Sequence, residues 1–337
     1  MKPLRHLPLF SWALLATTAL FADTPAPAKP VETKPETKKT PASFQNDGNP
    51  EHLRTPLAIK PDENIAYGPH RMQVMYFWRA KSDQPTPFLF YIHGGGWTNG
   101  DRSSVNGLLK PCLEAGISVV SVEYRYIKDA TADGVVPPVK GPMLDCARAL
   151  QFVRSKAKEW NLDKAHVAAS GGSAGACTSL WLAFHTDLAD PKSEDPIARE
   201  STRLTCAAVS VPQTSLDPEQ MRAWTPNSRY GAHAFGIKGT FDDFVKAREK
   251  IMPWIKEYSP YELVTADAPP VALYFPTVPA LGKDEKDPTH TANFGVKLKE
   301  HCDEIKAPCE LIYPGAPDVK HPAVFDFIKA YLKPSGK

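Results

Sequence analysis

The chain has 337 residues, 40 Lys+Arg against 38 Asp+Glu, and 42% hydrophobic residues. A net charge of +2 over that length leaves no electrostatic footprint for nucleic acid or an anionic membrane, and the composition excludes a disordered or collagen-like chain. Proline, at 34 residues, excludes long uninterrupted helices as the main architecture.

Residues 1–22 carry Lys2, Arg5 and His6 and then an apolar run from Leu7 to Ala22. This is the pattern of a basic n-region and an h-region, with Ala22 as cleavage residue, and the run is too short for a spanning helix. Residues 1–22 are therefore expected to be a signal peptide, the mature protein secreted or periplasmic, with no stable membrane anchor after cleavage. Residues 23–43 are rich in Pro, Lys and Thr and hold no aromatic residue, so they are expected to be a disordered linker. Residues 44–337 are expected to form one domain.

Within that domain, Met72–Trp78, Phe88–Ile92, Ser118–Tyr124, His166–Ala169, Ala207–Val211, Val271–Phe275 and Cys309–Tyr313 read as strands. Apolar residues at spacings of three and four predict helices over Met143–Trp160, Ala174–His185 and Ala292–Ile305. Alternating strands and helices predict an α/β fold whose mostly parallel sheet is covered on both faces, with its site at the carboxyl ends of the strands. The six cysteines form no C-x-x-C pair and no His stands at finger spacing from them, so a structural zinc site is not expected; no cofactor is expected either. Export leaves one or two disulfides open.

Two glycine motifs stand at such strand ends. Gly171-Gly172-Ser173-Ala174-Gly175 lies between a strand and a helix, where a sharp turn projects a serine hydroxyl and tolerates only small neighbours. His93-Gly94-Gly95-Gly96-Trp97 follows Phe88–Ile92 and lets backbone N–H groups converge on one oxygen. The expected oxyanion donors are the amides of Gly94, Gly95 and Ala174, each typically worth about 3–4 kcal/mol to a tetrahedral intermediate. His93 is expected to orient its loop. Arg125 and Asp145 read as a structural charge pair, Asp101-Arg102 as a turn, and Trp97, Trp181 and Trp224 as core more than pocket.

HGGGW, then SVEYR, then the Asp145 helix, then GGSAG resembles the esterase/lipase branch of the α/β-hydrolases, which includes hormone-sensitive-lipase-like and bacterial feruloyl-esterase-like enzymes. The resemblance runs from about Asn64 to Leu332. It implies a Ser–acid–His triad in that chain order, no metal, and a lid of variable sequence. Ser173 is then the nucleophile. Of the histidines after it (His185, His233, His290, His301 and His321), His321 follows the strand Cys309–Tyr313 and is the expected base. The acid is sought after Val271–Phe275, where Asp287-Pro288-Thr289-His290 resembles the D-P-x-H stretch that carries it in the feruloyl-esterase-like group. Asp287 is preferred, with Asp284 as the alternative.

Residues 212–268, rich in aromatics, form the expected lid. The implied activity is hydrolysis of carboxylic esters through an acyl-enzyme, on small-molecule or polysaccharide-linked substrates such as acetyl or feruloyl esters. A serine peptidase on the same scaffold, or an inactive binding protein, are the alternatives.

Overall fold

The computed structural model describes residues 56–332. The expected signal peptide, residues 1–22, and linker, residues 23–43, lie outside the described residues. Eight strands form one sheet: β1 (Glu63–Ala66), β2 (Val74–Trp78), β3 (Thr86–Ile92), β4 (Ser118–Val122), β5 (Leu162–Gly172), β6 (Cys206–Ser210), β7 (Val271–Tyr274) and β8 (Cys309–Ile312). Their spatial order is β1-β2-β4-β3-β5-β6-β7-β8. The pairs β1–β2 and β2–β4 are antiparallel, and every pair from β4 across to β8 is parallel. The expected α/β-hydrolase architecture is therefore present.

The chain leaves β3 for β4 on one side and returns to β5 on the other. The strand order reverses at β3, and in open parallel sheets the crevice at such a reversal is where sites form. Residue Ile92 of β3 is in register with Gly171 of β5, so the two glycine motifs emerge side by side.

The strand sequences account for the layering. β4 (SVVSV) is buried along its whole length, as in sheets covered on both faces. Phe88, Phe90, Val120, Ala169, Val209 and Leu273 face one core, packed with α3 (Lys140–Ser155), α5 (Ala174–Phe184) and α9 (Asn293–Ile305). The alternate residues Leu89, Val119, Ala168, Ala208 and Ala272 face the other, against α1 (Asn106–Glu114) and α10 (Val324–Tyr331). Trp97 and Trp181 are fully buried and Trp224 nearly so, which makes them core residues. All six cysteines are free thiols.

Three local differences from the sequence reading have physical causes. The helix expected over Met143–Trp160 is two helices, because the chain breaks at Lys156 before a short α4 (Ala157–Trp160) that ends on a left-handed Asn161. β5 begins four residues before His166, since its polar start pairs through the backbone (Thr86 with Leu162) and needs no apolar pattern. β1 is a half-exposed edge strand, ENIA, with little apolar content to reveal it.

Arg125 and Asp145 form the pair expected of them. The guanidinium holds the carboxylate through Nε at 2.9 Å and Nη2 at 2.7 Å, and Gln73 Nε2 donates to the same group at 2.8 Å. Asp145 lies on α3 and Arg125 follows β4, so the pair ties the helix to the sheet beside the strand reversal. Asp101 caps the turn after the HGGGW loop, accepting from the Ser103 amide.

Residues 212–268 contain α6 (Pro218–Trp224), a 3-10 turn at Ala232–Phe235, α7 (Phe241–Tyr258) and α8 (Pro260–Leu263). Asp217 caps α6 and receives both Nε and Nη2 of Arg248 on α7, at 2.8 and 2.7 Å. Phe235, Phe244 and Tyr258 are buried, so much of the aromatic content of this segment is packing. The 3-10 turn places His233 against the HGGGW loop, where its Nε2–H donates to the Gly96 carbonyl at 3.1 Å.

Two stability predictions follow from these ties. Arg125→Leu strands a buried carboxylate and is expected to lower unfolding stability by about 3–5 kcal/mol in urea titration, whereas an unchanged midpoint would contradict the packing described. Burial lowers the His233 pKa below its usual 6.5, only partly offset by the bond to Gly96. The unfolded chain then binds a proton more readily than the folded one, so this residue's contribution is present above pH 6.5 and lost as pH falls below it. His233→Gln is expected to shrink the loss of melting temperature between about pH 8 and about pH 5.5.

Candidate active site

Ser173 stands directly between β5 and α5 with φ +52° and ψ −122°, the strained conformation a sharp strand-to-helix turn imposes. Its N–H donates to Ser210 O at 3.0 Å, which pins the turn to the end of β6. The turn also presses on β3. A Cβ on residue 175 would lie 2.1 Å from the Ile92 carbonyl oxygen, and one on residue 171 would lie 2.2 Å from the same atom. Only glycine permits that approach of backbone to backbone.

The approach lays the HGGGW loop over the serine. A Cβ at residue 94 would sit 3.4 Å from Ser173 Cβ, so Gly94 lies directly against Ser173. Gly95 has φ +107°, open to glycine and strained for other residues. Among the described residues, no backbone carbonyl is paired with the N–H groups of Gly94, Gly95 or Ala174. Ala174 opens α5, so its N–H also lies at the positive end of the helix dipole.

His93 is fully buried and shapes this loop. Its Nε2 bonds Glu123 at 2.7 Å, its Nδ1 lies 2.7 Å from Gly94 O, and its ring stacks on Tyr124. Trp97 ties the far end of the loop to α5 by donating from Nε1 to Thr178 Oγ1 at 3.0 Å.

The hydroxyl of Ser173 meets an imidazole, and that imidazole belongs to His290. The Ser173 Oγ to His290 Nε2 distance is 2.9 Å, and His290 Nδ1 lies 2.8 Å from Asp287 Oδ2. Asp287 also accepts from the Thr289 amide at 3.1 Å, closing a tight turn that brings carboxylate and ring together over three residues. Burial works to raise the Asp287 pKa. The His290 ring and the Thr289 and His290 amides outweigh it, and the group is held below the usual carboxylate value. Asp284 is exposed, and Asp287 rather than Asp284 contacts the ring.

His321, the expected base, is placed otherwise and that expectation is corrected. Its Nδ1 is shared by both carboxylate oxygens of Glu310, at 3.0 and 3.1 Å, its ring packs edge-on to Phe327 of α10, and its carbonyl accepts from Tyr274. Glu310 lies within β8 and holds the ring at the strand's α10 side. The loop that carries Asp287 and His290 leads into α9 instead, on the opposite face of the sheet. Of the other histidines, His185 bonds Glu257 and His301 stacks on Tyr261.

The signal for His290 was the Asp287-x-x-His290 spacing itself, which lets one turn supply both groups. A second residue not singled out from sequence is Gln213, whose Nε2 donates to Thr289 O at 2.8 Å. Among the described residues, no group of His, Cys, Asp and Glu is arranged to hold a metal, and no helix is long and apolar enough to cross a membrane.

The geometry agrees with what this chain is similar to. LipM of Mycobacterium tuberculosis, a probable carboxylic ester hydrolase, is 30% identical over 152 residues, covering 43% of this chain and 33% of that protein. The chain spans about a third of the length of the curated relatives it matches, LipQ and LipC of the same organism included. Native esterase 2 of Thermogutta terrifontis shares the fold with a TM-score of 0.59 at 21% identity, covering 85% of this chain and all of that one. An acetyl ester-xyloside bifunctional hydrolase from Caldicellulosiruptor lactoaceticus aligns with a TM-score of 0.56 at 19% identity, over 76% of this chain and 86% of that one. The BD-FAE family pattern matches residues 75–277, more than half of the chain and inclusive of both glycine motifs. The chain belongs to the BD-FAE family.

Proposed function

We propose that this protein is a serine hydrolase of carboxylic esters, working through an acyl-enzyme with Ser173 as nucleophile, His290 as base and Asp287 as orienting acid. The observation that carries the reading is the unbroken chain of hydrogen bonds from Ser173 Oγ through both nitrogens of His290 to Asp287. Ser173 attacks the acyl carbon as its proton passes to His290 Nε2. Asp287, held as the carboxylate, keeps the Nδ1–H in place and stabilises the imidazolium that forms. The N–H groups of Gly94, Gly95 and Ala174 receive the developing oxyanion. The imidazolium then protonates the departing alcohol, and water, activated by the same ring, releases the acid and frees Ser173.

The substrates proposed are small acyl esters, among them acetyl esters of carbohydrates. An acetyl ester-xyloside hydrolase among the structural neighbours supports that class. The basic and apolar pattern of residues 1–22 supports export to the periplasm or medium.

Ser173→Ala and His290→Ala are each expected to reduce kcat on p-nitrophenyl acetate by at least about 10⁴-fold with the protein still folded. His321→Ala is expected to stay within about threefold of wild type. Loss of turnover in the His321 variant with retention in the His290 variant would overturn the assignment. Intact mass of the exported protein tests the processing: a mature chain starting after Ala22 is expected, and an intact Met1 would refute cleavage.

A further inference from the structure

The turn after β6 touches both halves of the site. Ser210 O accepts the Ser173 N–H, and three residues on, Gln213 Nε2 donates to the carbonyl of Thr289, the residue before His290. Between them Val211 has φ +46°, a conformation a β-branched residue rarely adopts, and its N–H is spent on Tyr274 O of β7. Strain of this kind persists where the surroundings over-determine it, and it bends the chain from the nucleophile toward the base.

Gln213 is fully buried. Its Nε2 faces two carbonyls, Thr289 O and, at 3.4 Å, Val211 O, which settles the orientation of the amide. Among the described residues, its Oε1 has no hydrogen-bond partner. A buried amide oxygen without a partner is destabilising, and an apolar side chain of equal length would avoid that penalty. Packing alone therefore does not explain a glutamine here, whereas a requirement for the N–H does.

We propose that Gln213 is a positioning residue for the base: its amide fixes the Thr289–His290 peptide and so holds the imidazole at bonding distance from Ser173 Oγ. The inference rests on the triad reading given above. Acting through His290, Gln213 governs how fast Ser173 is acylated and leaves substrate binding alone. Small displacements of a catalytic group are enough to cost rate by orders of magnitude.

The test compares wild type, Gln213→Met and Ser215→Ala in the full protein. Ser215 lies two residues away and is equally buried, and its hydroxyl bonds Gln220 and the Asp217 amide, not the base loop. The readouts are melting temperature, kcat and KM on p-nitrophenyl acetate, and the second-order rate of Ser173 labelling by a fluorophosphonate. Gln213→Met is expected to lower kcat and the labelling rate by about 10- to 100-fold with KM within about twofold. Ser215→Ala is expected to lose thermal stability while keeping both rates. Equal labelling of Gln213→Met and wild type would overturn the positioning role, as would parallel rate losses in the two variants at matched stability. A wild type that the probe leaves unlabelled at Ser173 would overturn the hydrolase reading itself, and the positioning role with it.

Discussion

The site depends on one close approach of backbone to backbone. The Ile92 carbonyl at the end of β3 occupies the space that side chains at residues 171 and 175 would need. With glycine at both positions, the Ser173 turn and the HGGGW loop press together, and Gly94 comes directly against Ser173. Bonds that hold the loop from outside, among them those of His93 to Glu123, Trp97 to Thr178 and His233 to Gly96, preserve that approach. The strained φ of Ser173 is its local expression.

This constraint explains why half of the site was legible in the sequence. A requirement for glycine is a property of a few consecutive residues, so GGSAG and HGGGW disclosed their geometry without any knowledge of the rest of the fold. The strand and helix alternation disclosed the layers for the same reason, since β4 and α5 carry no charge and are buried throughout. The histidine that meets Ser173 was not legible in this way. Which histidine reaches Ser173 is decided by the course of two loops that begin at neighbouring strand ends and leave over opposite faces of the sheet. The loop after β8 is turned aside by Glu310, whose carboxylate takes His321. Glu310 sits in a strand of four half-buried residues, and nothing in that pattern marks it as a histidine partner.

The spacing of three residues between Asp287 and His290 has a physical consequence. A triad drawn from two loops needs each loop held independently. Here a single turn carries Asp287 and His290, and its internal bonds, Thr289 amide to Asp287 and ring to carboxylate, tie carboxylate and imidazole into one unit. What remains adjustable is where that unit lies relative to Ser173. The 212–268 segment supplies the anchors: Gln213 grips Thr289, Asn227 grips Glu285, and buried Asn293 bonds the Trp224 carbonyl. The same segment rests His233 on Gly96. It therefore bears on the loop that carries His290 and on the HGGGW loop together.

The most direct measurement is a crystal structure of the protein after inactivation with a small organophosphonate. The expected structure has phosphorus bonded to Ser173 Oγ, the phosphonyl oxygen within hydrogen-bond reach of the Gly94, Gly95 and Ala174 amides, and the imidazole of His290 facing the adduct with Asp287 behind it. An adduct faced by the imidazole of His321, released from Glu310, would contradict it.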